Sequence, residues 1–176
     1  MEIILSENEI QTRVRQVGAE IGQRFADARL SVVGVTVGGI VFLVDLIRSI
    51  DLSIRVGLIH AKSYHGTRPG ELSVDDSTLP AEIVTDRDVL LVDDIFDTGV
   101  TLKRTTEHLL ERGARSVATA VLLRREKNDD CRAVHPDFVA FDIPDRFVVG
   151  YGLDYNDRYR NLPYIGVLPA SEYETE

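Results

Sequence analysis

A chain of 176 residues, 44% hydrophobic and 28% charged, has the size and composition of one globular domain with a full hydrophobic core. Its formal net charge of −9 opposes non-specific attraction to nucleic acid and suits a protein that holds divalent cations. A single cysteine, Cys131, excludes an internal disulfide and a cysteine-built zinc site, and no apolar run approaches the ~20 residues that span a bilayer. The expectation is a cytoplasmic protein with no membrane and no nucleic-acid partner. The acidic start, MEIILSENEI, shows no secretory signal.

The first element is announced by Ser6-Glu-Asn-Glu9, a capping box with Ser6 as N-cap. Ile10, Val14, Val17 and Ile21 follow at spacings of 4, 3 and 4, which is one face of a helix. SVVGVTV, Ser31 to Val37, reads as a buried strand broken by Gly38-Gly39. Ile40 to Ile50 is apolar nearly all round, which predicts a helix buried in the body of the domain. A strand returns over Ile54 to Tyr64. His65 to Glu82, rich in Gly, Pro, Ser and Asp, reads as one long loop, a length that compact domains reserve for functional or mobile segments. A merely floppy insertion is the plainer alternative.

Beyond it come a strand at Val89 to Val92, a helix from about Gly99 to Arg112 stopped by Gly113, and a strand at Val117 to Leu123. A short strand follows at Phe138 to Phe141, and Asp145 to Leu168 reads as an irregular last element. Continuous apolar strands without polar alternation are covered on both faces. The fold class is therefore α/β, with a central, mainly parallel sheet flanked by helices.

The densest chemistry lies in VLLVDDIFDTGVTL, Val89 to Leu102, where Asp93, Asp94 and Asp97 place three carboxylates within five residues. Ligands of open α/β sheets settle beyond the carboxyl ends of the strands. Thr98 and Thr101 supply hydroxyls, Gly99 lets the backbone come close, and the helix N-terminus offers N–H groups. That is a cradle for one phosphate, without the lysine of a P-loop. Asp93 and Asp94 can accept from ribose hydroxyls, directly or around Mg²⁺, which leaves Asp97 to face a reacting group. The plainer alternative is an acidic turn in which Asp97 caps the helix.

This stretch closely resembles the 5-phosphoribosyl-1-pyrophosphate (PRPP) motif of the type I phosphoribosyltransferases. Asp137 to Leu168, DFVAFDIPDRFVVGYGLDYNDRYRNLPYIGVL, is similar to the C-terminal region of the hypoxanthine-guanine phosphoribosyltransferases. Lys62 to Tyr64 and DDSTL, Asp75 to Leu79, resemble that family's mobile catalytic loop. The likeness runs from about Val32 to Leu168. It implies the type I phosphoribosyltransferase fold: a core over about 30–142 and a small hood over about 143–170 joined by the N-terminal segment. It also implies a mobile loop over about 65–81, opened by Ser63 and Tyr64, that closes over the reaction. Mg²⁺ as cofactor, PRPP and a 6-oxopurine base as partners, and a homodimer or homotetramer are implied with it.

The resemblance also assigns roles. Asp97 sits near purine N7 as base or proton-sharing partner. Asp97, Thr98, Gly99, Val100 and Thr101 bind the 5′-phosphate, while Asp93 and Asp94 hold the ribose and, with Asp154, a metal. Thr36, Val37 and Gly38 belong to a loop whose amides meet pyrophosphate across a cis peptide, and Arg160 neutralises pyrophosphate oxygens. Phe147 stacks on the purine, the backbone of Val148 reads the ring edge, and Asp154 completes the 6-oxopurine pattern. Core packing of Phe147 and Val148, and a surface salt bridge for Arg160, are the plainer alternatives.

Two departures matter. Many relatives carry a basic residue where Val37 stands, so pyrophosphate binding here would rest on amides, Mg²⁺ and Arg160. The family's O6-donating lysine is replaced by Arg125, with Lys127 two residues on, and either can donate. Two other functions compete with purine salvage. A PRPP-responsive transcriptional regulator would keep the aspartate motif but need a basic surface, which the charge of −9 opposes. An adenine or pyrimidine phosphoribosyltransferase is opposed by FVVGYGLDY.

Overall fold

A computed structural model describes residues 1–63, 72–126 and 134–172. The elements run β1 (Glu2–Leu5), α1 (Glu7–Arg24), β2 (Leu30–Thr36), α2 (Ile40–Ser49), β3 (Arg55–Ser63), β4 (Leu72–Asp75) and α3 (Ala81–Val84). They continue with β5 (Asp88–Phe96), α4 (Val100–Glu111), β6 (Ser116–Arg125), β7 (Phe138–Ile143), β8 (Val148–Val149) and β9 (Ile165–Val167).

Six strands form the central sheet in the order β4-β3-β2-β5-β6-β7, parallel except at the antiparallel edge strand β4. Successive residues of a strand point to opposite faces, and here both faces are roofed. Val32, Leu90, Val92 and Leu122 join one core with Ile10, Val14, Val17 and Ile21 of α1 and Phe42, Leu43 and Leu46 of α2. Val33, Val35, Leu91 and Val121 join another with Val84 of α3 and Leu102 and Leu109 of α4. That is why β5 reads as an unbroken apolar run. The capping box of α1 forms as expected, with the Ser6 amide donating to Glu9 at 2.8 Å and the Glu9 amide to Ser6 Oγ at 3.4 Å.

Three expectations change, and one strand is added. The segment His65 to Glu82 is not one irregular loop: β4 pairs with β3, opposing Val74 to Ala61 and Asp75 to His60, and α3 follows. Backbone pairing with an open sheet edge outweighed the polar composition. The helix α2 is not buried all round, since Ile40 and Val44 are 37% and 45% exposed. Its other side, Phe42, Leu43 and Leu46, packs on the sheet. Glu2–Leu5 is a strand, and β1, β9 and β8 make a second, three-stranded antiparallel sheet from the two ends of the chain. Finally, β5 runs on to Phe96, because Ile95 and Phe96 pair with Leu123 and Arg124 of β6. Asp93 and Asp94 therefore lie inside the strand rather than after it.

Candidate active site

The carboxyl ends of β2 and β5 open onto a cavity of about 330 Å³. Thr36 reaches it from the end of β2, Gly38 from the β2–α2 loop, and Asp93, Asp94, Asp97, Thr98, Gly99 and Thr101 from β5 and the turn into α4. Asp154 and Arg160 close it from the C-terminal segment. The sequence motif supplies these residues from three separate stretches, and the parallel topology brings them to one end of the sheet. The turn works because Gly99 takes φ 80°, a left-handed value that a side chain resists. Gly99 is also the N-cap of α4, and the Val100 amide donates to Thr98 Oγ1 at 3.4 Å. The N-cap position thus belongs to Gly99 rather than to Asp97, and the helix end offers amides suited to an anion.

Asp93 is buried, and its pKa is pushed well above the usual carboxylate range, first by burial and then by the Asp94 charge. Burial raises Asp94 as well, against hydrogen bonds and the Arg160 guanidinium that favour its ionised form. The Asp94 amide donates to Asp93 Oδ1 at 3.0 Å and the Ile95 amide to Asp94 Oδ1 at 2.8 Å. A Cβ on Gly38 would sit 1.7 Å from Asp94 Oδ2, so a larger residue there would collide with the Asp94 carboxylate. The Thr36–Val37 peptide is cis. Arg160 does form a salt bridge, but one that lines the cavity: Nη2 lies 2.9 Å from Asp154 Oδ1, and Nη1 donates to the Gly152 carbonyl at 2.8 Å.

Arg125 and Phe147 line a second recess of about 440 Å³ with Asp145, Arg146, Leu168 and Pro169. Arg125 Nη1 donates to Asp145 Oδ1 at 3.1 Å. Phe147 meets Tyr155 edge-on, with ring centroids 5.7 Å apart, and its carbonyl accepts from the Leu168 amide at 2.9 Å. Val148 is 3% exposed in β8, so its side chain packs in the core and only its backbone remains for recognition. Tyr64 and Lys127 lie outside the described residues, and Ser63 is the last residue of β3.

Three groups escaped the sequence reading. His60 Nδ1 is 2.9 Å from Thr36 Oγ1, a contact that exists only because β2 and β3 lie side by side. Asp45 Oδ2 accepts from Tyr151 OH and from Gln11 Nε2, both at 2.6 Å, which ties the C-terminal segment to α1 and α2. A lone carboxylate inside IVFLVDLIRS was the available signal. The apolar lining, including Val35, Ala61, Ile95, Phe96 and Leu102, carries no sequence signal separable from ordinary core. For a metal, the donors at hand are the carboxylates of Asp93, Asp94 and Asp154, all on the cavity wall. Among the described residues no three His, Cys, Asp or Glu side chains cluster closely enough to enclose an ion. The set fits Mg²⁺ only if substrate oxygens complete the shell, as hard oxygen-seeking ions allow.

The family model described as the phosphoribosyl transferase domain matches residues 2–156. The chain is 39% identical to the hypoxanthine-guanine phosphoribosyltransferase of Bacillus subtilis (strain 168), covering 99% of this chain and 96% of that one. It is 40% identical to the enzyme of the same name from Staphylococcus epidermidis, over 97% and 95% of the two chains. Among solved structures, a hypoxanthine phosphoribosyltransferase from Staphylococcus aureus superposes with a TM-score of 0.89 at 36% identity, over 98% of this chain and 94% of that one. With the aspartate motif, the cavity and near full-length relatives in agreement, the chain belongs to the hypoxanthine-guanine family of phosphoribosyltransferases.

Proposed function

We propose that this enzyme serves purine salvage, transferring the 5-phosphoribosyl group of PRPP to N9 of hypoxanthine or guanine and releasing pyrophosphate. The observation that carries the reading is the cavity itself, which joins a helix-end phosphate seat, paired carboxylates for ribose and a cationic Arg160 on one wall. The C1–O bond of PRPP breaks with its electron pair leaving on pyrophosphate, and purine N9 bonds to C1. The proton that the base loses, from N7 when N9 attacks, goes to Asp97 as general base. Thr98, Gly99, Val100 and Thr101 seat the 5′-phosphate through amides and hydroxyls, and Asp93 and Asp94 accept from the ribose hydroxyls. Arg160 balances charge on the leaving pyrophosphate, with Thr36, Val37 and Gly38 supplying backbone around it. Mg²⁺, when bound by Asp93, Asp94 and Asp154 together with substrate oxygens, supplies further neutralisation of that charge.

Phe147 supplies an aromatic face for the base, the Val148 backbone reads its edge, and Arg125 donates to O6. Ser63 and Tyr64 begin the segment proposed to shield the reaction from water. No helix among the described residues is long and apolar enough to cross a membrane; the lone cysteine supports a reducing cytoplasm as the proposed compartment. Self-association is proposed through α2 and β3. Val56 and Leu58 pair with Val32 and Gly34, so they face the α2 side of the sheet, and there they and Val44 remain exposed.

Pyrophosphate release, measured with PRPP, Mg²⁺ and hypoxanthine, guanine, xanthine or adenine in turn, tests the function. Turnover with hypoxanthine or guanine is expected; none with any of the first three bases sinks the proposal. The regulator reading has no support from the relatives, which are named as enzymes.

A further inference from the structure

The loop at Thr36–Gly38 has a neighbour that neither the aspartate motif nor the C-terminal motif includes. Thr36 and His60 are register partners in the parallel pair β2–β3, and both side chains stand on the same side of the sheet. His60 Nδ1 lies 2.9 Å from Thr36 Oγ1, while the Ile59 carbonyl is 3.4 Å from the same oxygen. Thr36 lines the cavity beside Gly38, and His60 is set back from it.

The hydroxyl has one proton, and its direction depends on which histidine tautomer is present. If Nδ1 accepts, the Thr36 proton points at His60, and only oxygen lone pairs face the cavity, which repels an anion. If Nδ1–H donates to Thr36 Oγ1, the hydroxyl proton goes either to the distant Ile59 carbonyl or into the cavity. An anion there offers the better acceptor, since charge-assisted hydrogen bonds are shorter and stronger than a 3.4 Å contact. No proton leaves either group; the hydroxyl only rotates. Val37 contributes no cation at this loop, so a correctly turned hydroxyl carries more weight here.

Building on the pyrophosphate assignment of Thr36, we propose that His60 is a positioning residue. It donates from Nδ1 to Thr36 Oγ1 and so turns the Thr36 hydroxyl into a donor toward pyrophosphate.

The test compares two probes on the intact enzyme: inhibition by pyrophosphate with Mg²⁺, and binding of GMP, which does not occupy the pyrophosphate loop. His60→Leu is expected to weaken pyrophosphate about three- to tenfold, the scale of one hydrogen bond, with GMP affinity changed less than twofold. His60→Gln, which retains an N–H donor, is expected to recover part of the loss and guards against a folding defect in the leucine variant. Thr36→Val is expected to match His60→Leu, and the double variant to be no worse than either single one. Unchanged pyrophosphate inhibition in His60→Leu, equal losses for both probes, or losses that multiply in the double variant overturn the inference. If Thr36→Val weakens pyrophosphate while His60→Leu does not, the His60 role fails and the pyrophosphate site stands. If Thr36→Val also leaves pyrophosphate unchanged, the assignment of Thr36 fails and takes this inference with it.

Discussion

Two groups of acidic residues in this molecule have opposite electrostatic fates. Asp93 and Asp94 are consecutive in β5, Asp93 buried and Asp94 half-buried, with pKa values raised by burial and, for Asp93, by its neighbour. Asp76, after β4, accepts from His108 Nε2 at 2.8 Å and Arg112 Nη1 at 2.7 Å. Its pKa is lowered, first by the His108 hydrogen bond and also by the Arg112 charge. Arg112 reaches on to the Leu79 carbonyl at 3.0 Å, so this acid pins the segment after β4 to the last turn of α4. The contrast separates scaffold from site. Asp76, which serves packing, is given its hydrogen-bond donors by the fold, whereas Asp93 and Asp94 are the acids proposed to meet hydroxyls and a cation brought by the ligand.

The largest test of that contrast is Asp97→Asn. It keeps the shape of the turn and removes the base, so kcat should fall about 10²- to 10⁴-fold while PRPP still binds; an unchanged kcat would remove Asp97 from the chemistry. Next comes Asp76→Asn, which takes the charge from the pinned acid. It should lower stability by about 1–2 kcal/mol, read as a reduced midpoint in urea, with catalysis at saturating substrate little altered. Asp93→Asn should do the reverse. Removing a buried like-charge contact should raise the ligand-free melting temperature, by about 2–4 °C if the gain is ~1 kcal/mol, while KM for PRPP rises. A fall in melting temperature would show that Asp93 is already satisfied without ligand.

The smallest effect is in pH. For Asp93 and Asp94 the folded protein retains protons that the unfolded chain has lost, so ligand-free stability should decline as pH rises from 3.8 through their raised values. For Asp76 the sign reverses: its contribution is present above 3.8 and is lost as pH falls through its lowered value. Melting curves of Asp93→Asn and Asp76→Asn against pH should each lose one of these slopes. Parallel curves for both variants and the parent would erase the comparison.

The sequence alone was enough for the parallel α/β architecture, because strands roofed on both sides must be apolar at every position, as Val89 to Val92 are. It also marked the turn proposed to seat a phosphate, since Asp97 to Thr101 form one local stretch whose residue types suit a tight strand-to-helix turn. Local signals could not foresee β1 or β4. Both are short strands whose existence depends on a distant partner, β9 for one and the edge of β3 for the other. Nor could they show that α2 leaves Ile40 and Val44 uncovered, because composition records how apolar a helix is but not which neighbours surround it.

The site divides in the same way. Asp93, Asp94 and Asp97 stand close in the chain, and their crowding was legible as a demand for a ligand. Asp154 and Arg160 reach the same cavity only through the fold of the C-terminal segment, and resemblance rather than residue chemistry brought them to notice. The pairing of Thr36 with His60 had no local trace at all. Register between β2 and β3 decided it, since a hydrogen bond across strands depends on which residues the sheet sets side by side.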